Sequence, residues 1–320
     1  MKPKPRSTPA GEHRPVLLRE ILDLFDLRPG MTVVDCTVGW AGHSAEFLTR
    51  IGPTGMLVGL DMDAENLPKA RARLDAVGHP FHLHHMNFAG LQQVLAAHGL
   101  DQVDAILADL GMSSMQVDDP ARGFSYSRDG ALDMRMDRSR GQTAAQYLAT
   151  VAEGELTQVL QQGDEPHARK IAAAIVNART KTPIATTREL AGLIQETTEQ
   201  LNWRLRPAPG KWTTHPAART FQALRILVNR ELASLEHLLR LAPTCLAPGG
   251  AVAIISFHSG EDRLAKSAFR AGREAGAYQA TSDDPIRASW SERQENPRSR
   301  SAKLRWARKS ATEAKLQAGR

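Results

Sequence analysis

The sequence predicts a doubly wound α/β domain interrupted by an all-helical insertion, and three observations carry that prediction. Short β-branched runs alternate with helical patterns through the first third of the chain, the alternation stops after Asp109, and it resumes at AVAIISF, residues 251–257. A strand–helix–strand beat implies a parallel sheet with right-handed crossovers, because a right-twisted strand returns its helix onto the sheet in that hand.

The elements follow in order. Strands are predicted at 31–36 (MTVVDC), 56–61 (MLVGLD), 81–86 (FHLHHM) and 103–109 (VDAILAD) from length and β-branched content. Helical patterns lie between them, near 43–51, 64–77 and 89–99. Residues 110–142 show no period, and 143–201 read as helices only, with apolar spacing in ARKIAAAIV and RELAGLIQETTEQL. The stretch 217–241 puts Phe221, Leu224, Leu227, Val228, Leu235 and Leu238 on one face of a single predicted helix. The expected organisation is a discontinuous α/β domain over 13–115 and 206–309, with a helical insertion over 116–205 long enough to be a small domain. Tails at 1–12, basic in character, and 310–320 read as disordered.

Composition narrows the class. The chain has 320 residues, 42% of them hydrophobic, enough for a real core. Two cysteines, Cys36 and Cys245, are too few for a disulfide framework and lack metal-type spacing, so they read as buried thiols in a reducing, cytoplasmic protein. No apolar stretch is long enough to span a bilayer, and the N-terminal segment leads into an amphipathic pattern with Asp23 and Asp26, so neither membrane nor export is expected. The net charge of +6 is uneven: residues 285–320 hold ten Lys and Arg against three acids, while 15–284 hold 27 basic against 31 acidic residues. Clustered cations gain counterion-release free energy on phosphate, which points to nucleic acid, although a solvated tail would show the same count.

DCTVGWAGHSAEF, 35–47, places Asp35 at the end of the first strand, then Gly39 and Gly42, then a helix start. Small residues in this first turn let backbone approach a ligand beyond the strand ends. Asp61, 22 residues after Gly39, ends the second strand, where an acid accepts hydrogen bonds from a ribose diol. The third glycine of a dinucleotide fingerprint is missing, so the loop favours S-adenosylmethionine over a nicotinamide cofactor. A tight strand-to-helix turn without a ligand is the competing reading. Asp109 closes the fourth strand, and its carboxylate is expected to face the cofactor crevice, where it would hold the N–H groups of an exocyclic amine such as cytosine N4. The bland alternative is that Asp109 begins a turn.

Several segments together resemble one family. HRPVLLREIL (13–22), DCTVGWAGHS (35–44), DLGMSSMQVDDPARGFSYSRDGALDMRMD (109–137), HPAARTFQALRILVNRELASLE (215–236), SFHSGEDR (256–263) and NPRSRSAKLR (296–305) are similar to the bacterial small-subunit rRNA cytosine-N4 methyltransferases of the MraW or RsmH family. The resemblance runs from about residue 12 to about 309. It implies a class I S-adenosylmethionine-dependent methyltransferase domain, Rossmann-like, carrying a helical insertion that recognises RNA. It implies cofactor contacts at Ala41, Gly42, His43, Asp61, Phe88, Asp109 and Gln116. Phe88 would lie against an adenine face, though a core residue at a helix start explains it equally, and the Gln116 amide can both donate and accept. The sequence departs from the family pattern at Met115, where Pro is usual, at Gly260, where Leu is usual, and at Cys36, where Gly is common.

Other candidates have competing explanations. His258 is a candidate catalytic residue, while Ser259 and Asp262 around it fit a capping box at a helix start. His82 and His84 share a strand face, but without a carboxylate or Cys pattern they read as ordinary strand residues, and methyl transfer needs no metal. Residues 121–140 interleave Arg122, Arg128, Arg135, Arg138 and Arg140 with Phe124 and Tyr126, which suits single-stranded RNA, whereas Asp129, Asp133 and Asp137 offer an Arg–Asp network instead. The reading as a whole is S-adenosyl-L-methionine-dependent N4-methylation of a cytidine in the decoding region of 16S ribosomal RNA, with Asp109 and His258 catalytic. The expected partners are small-subunit rRNA or the assembled subunit, with the oligomeric state open between monomer and homodimer. The alternatives are a nicotinamide-dependent oxidoreductase and a non-enzymatic RNA-binding protein.

Overall fold

The computed structural model describes residues 14–202 and 215–311. The expected tail at 1–12 lies outside the described residues, as does the expected C-terminal tail from 312 onward. By contacts the chain falls into two compact units: one runs to Gly111 and resumes at Leu232, the other is Met112–Glu231.

The strands are β1 (Thr32–Asp35), β2 (Met56–Asp61), β3 (Phe81–His85), β4 (Val103–Asp109), β5 (Leu246–Ser256), β6 (Tyr278–Thr281) and β7 (Lys303–Lys309). The helices of the first part are α1 (Leu18–Phe25), α2 (Gly42–Ile51), α3 (Leu67–Asp75) and α4 (Leu91–Ala97). Then come α5 (Ser114–Asp118), α6 (Ala144–Thr150), α7 (Glu153–Gln162), α8 (Ala168–Arg179), α9 (Thr187–Asn202) and α10 (Ala218–Asn229). The chain closes with α11 (Glu231–Cys245), α12 (Ser259–Glu274) and α13 (Trp290–Glu295).

All seven strands form one sheet in the order β3-β2-β1-β4-β5-β7-β6. Strands β1 to β5 pair in parallel, and β7 runs antiparallel between β5 and β6. Because successive side chains leave a strand on opposite faces, the same runs feed two cores. Val34, Val58, Leu60, Ile106, Ala108, Val252 and Ile254 pack with Leu91, Val94 and Leu95 of α4, Leu235 and Leu238 of α11 and Phe269 of α12. Their neighbours Val33, Leu57, Ala105, Leu107, Ala253 and Ile255 pack with Ile21 and Phe25 of α1, Phe47, Leu48 and Ile51 of α2 and Leu74 of α3. Helices therefore cover both faces, which is why these strands read as near-continuous apolar runs. Cys36 and Cys245 are both buried thiols.

The first unit departs from the sequence reading at its C-terminal end. Four of the seven residues of β7, KLRWARK, are basic, so composition presented as a charged tail what is a sheet strand. Lys303 Nζ and Arg305 Nε donate to Asp262 at 2.9 and 2.6 Å, Arg308 to the carbonyls of Gly249 and Leu24, and Lys309 Nζ to that of Leu246. These cations fasten the sheet.

The second unit buries its own core of Phe124, Leu132, Leu148, Leu156, Leu160, Ile171, Ile175, Leu190, Ile194, Phe221 and Leu224. The helix expected over 217–241 is two helices, because Arg230 takes a left-handed conformation with φ +52° between α10 and α11. Apolar spacing is continuous across the break, so periodicity could not reveal it. Arg225 spans the turn with a two-pronged pair to Glu231, at 2.9 and 2.8 Å. The contact boundary accordingly falls after Glu231 and not at 206, and α10 packs with the second unit.

The loop over 121–140 belongs to the second unit and forms the Arg–Asp network. Arg135 pairs with Asp133 through two bonds, Arg128 with Asp118, and Arg140 with Asp137. Arg122 is buried and donates to the carbonyls of Arg135 and Met136. Asn229 of α10 donates to Met134 O and accepts from Met136 N, and Phe124 is buried in the core.

Candidate active site at the strand ends

Strand order reverses at β1, with β2 on one side and β4 on the other. Open α/β sheets hold ligands beyond the carboxyl ends of the strands at such a switch point. Asp35, Asp61 and Asp109 end β1, β2 and β4.

The loop after β1 is threaded between its neighbours: Cys36 N donates to Leu107 O at 2.8 Å and Val38 N to Leu60 O at 3.0 Å. Gly39 and Ala41 both lie in the left-handed region, at φ +53° and +58°. Gly39 takes that conformation freely, whereas fully buried Ala41 bears a strain of about 1–2 kcal/mol. Gly39 N donates to Asp61 Oδ2 at 2.7 Å, so the second strand's acid holds the glycine loop in place. Gly42 opens α2 against Pro15, where an added Cβ would stand 3.4 Å from the proline ring.

Each acid is bound differently. Asp35 accepts from Thr37 N and from Ser44 Oγ, and burial still pushes its pKa up to about 6. Thr37 Oγ1 in turn accepts from Asp109 N at 2.7 Å, which couples the ends of β1 and β4. Asp61 Oδ1 accepts from Asp63 N and the Asn66 amide, and burial raises this acid to about 6 as well. A carboxylate oxygen has two acceptor sites, so Oδ2, bonded to Gly39 N, can accept one further hydrogen bond. Asp109 stands apart: its Oδ1 is buried without a hydrogen-bond partner. Burial is the main cause that raises its pKa to about 8, the Asp35 and Glu261 carboxylates add to it, and the Arg298 guanidinium opposes it.

Two histidines approach this cluster. His43 is buried and donates from Nε2 to Val16 O at 2.9 Å, which leaves Nδ1 3.9 Å from Asp109 Oδ2. His258 is the N-cap of α12, its Nδ1 accepting from Gly260 N and Glu261 N while the Glu261 carboxylate accepts from His258 N. The expected capping box on Ser259 and Asp262 is therefore set one residue earlier, on His258 and Glu261, and Asp262 serves Lys303 and Arg305 instead. His258 Nε2 is a buried atom that lies 3.1 Å from Glu261 Oε1 but makes no hydrogen bond. Gly260 suits this cap, since a Cβ there would come within 3.2 Å of the His258 ring.

Ser44 and Arg298 join the site without having been singled out from sequence, while Thr37 was read as a small residue of the cofactor loop and Glu261 as a helix-start acid. The signal was present, because SFHSGEDR and NPRSRS are motifs of the chain, but nothing in their spacing shows that Glu261 and Arg298 face Asp109. Phe88 is half-buried against the first core at the start of a short 3-10 turn, which agrees with its packing role. Gln116 lies in the second unit, where it completes a capping box with Ser113 at the start of α5 and is buried. His82 and His84 meet a residue the sequence did not pair with them: His82 stacks on His98 at 4.0 Å between centroids, and His84 Nε2 lies 2.8 Å from His98 Nε2.

A glycine loop opening a helix, an acid with a spare acceptor after β2 and a set of buried carboxyls beside it suit a nucleoside that carries a cation. Together with the sheet they define a class I S-adenosylmethionine-dependent methyltransferase. The model of the MraW methylase family matches residues 10–310, and the chain belongs to that family. It is 46% identical to the ribosomal RNA small subunit methyltransferase H of Chromobacterium violaceum, over 95% of this chain and 97% of that one. It is 44% identical to the protein of the same name from Solidesulfovibrio magneticus, over 92% and 94% of the two chains. The Citrifermentans bemidjiense protein is 43% identical over 92% and 97%.

Proposed function

We propose that this methyltransferase transfers a methyl group to N4 of a cytidine in the decoding region of small-subunit ribosomal RNA. The observation that carries the reading is the buried, unpartnered Oδ1 of Asp109 at the switch point, beside the glycine loop. Relatives named as small-subunit rRNA methyltransferases support the substrate class. A nicotinamide cofactor has no support, since the loop lacks its third glycine and the family is one of methylases.

S-adenosylmethionine supplies a methyl group on a sulfonium centre that departs as a neutral thioether. The chain's own residues hold and orient the reactants. Asp61 Oδ2 would accept a ribose hydroxyl while it keeps the Gly39 amide, which would tie the loop to the bound cofactor. Asp109 Oδ1 accepts an N–H of the cytosine amine and takes its proton as the N–C bond forms, which requires the ionised acid. Thr37 and Ser44 fix Asp109 and Asp35 in register, and most of the rate enhancement comes from this positioning in a desolvated crevice. His258, whose buried Nε2 lies 3.1 Å from Glu261 Oε1, would reach the substrate base or ribose by exchanging that carboxylate for a substrate acceptor. The target base would leave its stack to react; RNA recognition is assigned to the helical unit, and Gln116 keeps the cofactor role that the family resemblance implies. The protein would act in the cytoplasm, and no described helix is long and apolar enough to cross a membrane.

Mass-spectrometric mapping of small-subunit rRNA tests the reading, with free rRNA, the isolated subunit and the mature particle as substrates. N4-methylcytidine at one decoding-region position, dependent on the protein and on S-adenosylmethionine, is the expected result. Methylation at a carbon or at ring N3 would refute the role given to Asp109.

A further inference from the structure

The geometry points to Trp290 as a stacking platform for an unpaired base of the RNA substrate, with Arg293 and Arg300 holding the adjoining phosphates. This rests on the RNA-methylation reading and names a surface that the reading leaves unassigned. Among the described residues Trp290 is an exposed large apolar side chain, with 73% of its surface open to solvent. A single exposed apolar residue needs no explanation by itself, but the setting of this one does.

The element that carries Trp290 is held firmly. Ser289 caps α13 by accepting from Glu292 N, and Glu292 Oε1 accepts from Leu17 N at 2.9 Å. Arg14 pairs with Glu295 at 3.0 Å, and the Asn296 amide donates to Arg14 O at 3.2 Å. The acids of this segment are thus engaged with the N-terminal part of the unit. Rigidity matters because a stacking residue that is already fixed loses little entropy on binding.

The cations are tied to the backbone of the same segment. Arg293 is three residues on from Trp290 in the same helix, so the two side chains are neighbours on its surface. Arg293 Nε donates to Ser289 O at 3.4 Å, and Arg300 Nε donates to Arg293 O at 3.1 Å. Both arginines are exposed. Arg300 belongs to the short turn Pro297–Arg300, whose Arg298 acts electrostatically on Asp109. The same turn therefore links the acid of the reaction site to the segment that carries Trp290. Exposed aromatic side chains combined with arginines of the same segment are what single-stranded nucleic acid binds without regard to sequence.

The test uses the full-length protein and a fluorescein-labelled 15-nucleotide single-stranded RNA with a central cytidine, read by fluorescence anisotropy. Trp290→Ala and Trp290→Leu should each weaken binding by roughly 5- to 150-fold, since both lose the π face, whereas Trp290→Phe should stay within about threefold of the parent. Arg293→Ala and Arg300→Ala should each lower the slope of log affinity against log salt by about one. S-adenosylmethionine affinity and the unfolding midpoint should be unchanged in the Trp290 variants. RNA affinity of Trp290→Ala within twofold of the parent would overturn the inference. So would Trp290→Leu behaving like the parent, which would mark an apolar surface for a protein partner. Loss of RNA affinity in Trp290→Ala with no N4-methylcytidine formed by the parent would uphold the platform and remove the N4 reading instead.

Discussion

Replacing Asp109 by Asn should make the protein more stable at neutral pH while slowing its chemistry by orders of magnitude. Burial and two neighbouring carboxylates lift the Asp109 pKa from 3.8 to about 8. An acid whose pKa rises on folding holds more protons folded than unfolded between those two values, so stability falls as pH rises through that window. Each pH unit within it costs about 1.4 kcal/mol. From pH 5 to pH 8 the ceiling is therefore about 4 kcal/mol, and with the side chain 20% exposed, solvent trims this to roughly 2–4 kcal/mol. Asparagine has no such ionisation. Guanidinium unfolding of Asp109→Asn and parent at pH 5 and pH 8 should show the stability difference widening by that amount in favour of the variant. The raised acids Asp35 and Asp61 are common to both proteins and largely cancel. Methyl transfer by the variant should fall about 10²- to 10⁴-fold, the usual range for a lost general base. Parallel stability profiles would refute the strained-acid account, and a variant with parental activity would refute the catalytic one.

Methyl transfer by the parent should rise with pH towards a plateau above about 8, as Asp109 ionises. Asp35→Asn removes the largest charge contribution to that raised pKa and should move the rising limb to lower pH by roughly one unit; an unmoved limb would assign it to another group. Thr37→Val strips the acceptor from Asp109 N and should cost about 1–3 kcal/mol in unfolding experiments, whereas Thr37→Ser keeps the hydroxyl and should stay within about 0.5 kcal/mol. Arg230→Gly places the residue suited to φ +52° at the turn between α10 and α11 and should stabilise by about 0.5–1 kcal/mol, measured as the shift in denaturation midpoint.

The sheet was legible because period-two burial leaves its mark in composition. Val33 and Val34 serve opposite cores, so both must be apolar, and the run MTVVDC announces a strand buried on two faces. The turn at Arg230 was not legible, since a left-handed residue can interrupt a helix without disturbing the apolar spacing on either side. Strand β7 was hidden by its charges: Lys303 and Arg305 are where they are to meet Asp262, a partner 41 and 43 residues away that no local window contains. The same holds at the site. The acids at the strand ends stand at positions the fold makes predictable, and all three lie there. That Glu261 and Arg298 act on Asp109, or that His258 rather than Ser259 caps α12, depends on how β5, α12 and the turn after α13 meet in space.

The hydrogen bonding around the crevice also says where the unit tolerates a cost. Asp35 and Asp61, both nearly inaccessible, have each carboxylate oxygen engaged by a loop amide or a side-chain donor. These bonds hold the loop in shape. Asp109 is supplied with none of them at Oδ1. Instead Thr37 binds its backbone, and His43 points its proton at Val16 O. An unsatisfied buried acceptor costs about 1–3 kcal/mol, more for an acid kept from its usual ionisation, and a stability-driven site would have removed it. Keeping Oδ1 open at the one strand end that faces both the loop and α12 is the arrangement expected if the missing donor is the amine of the substrate.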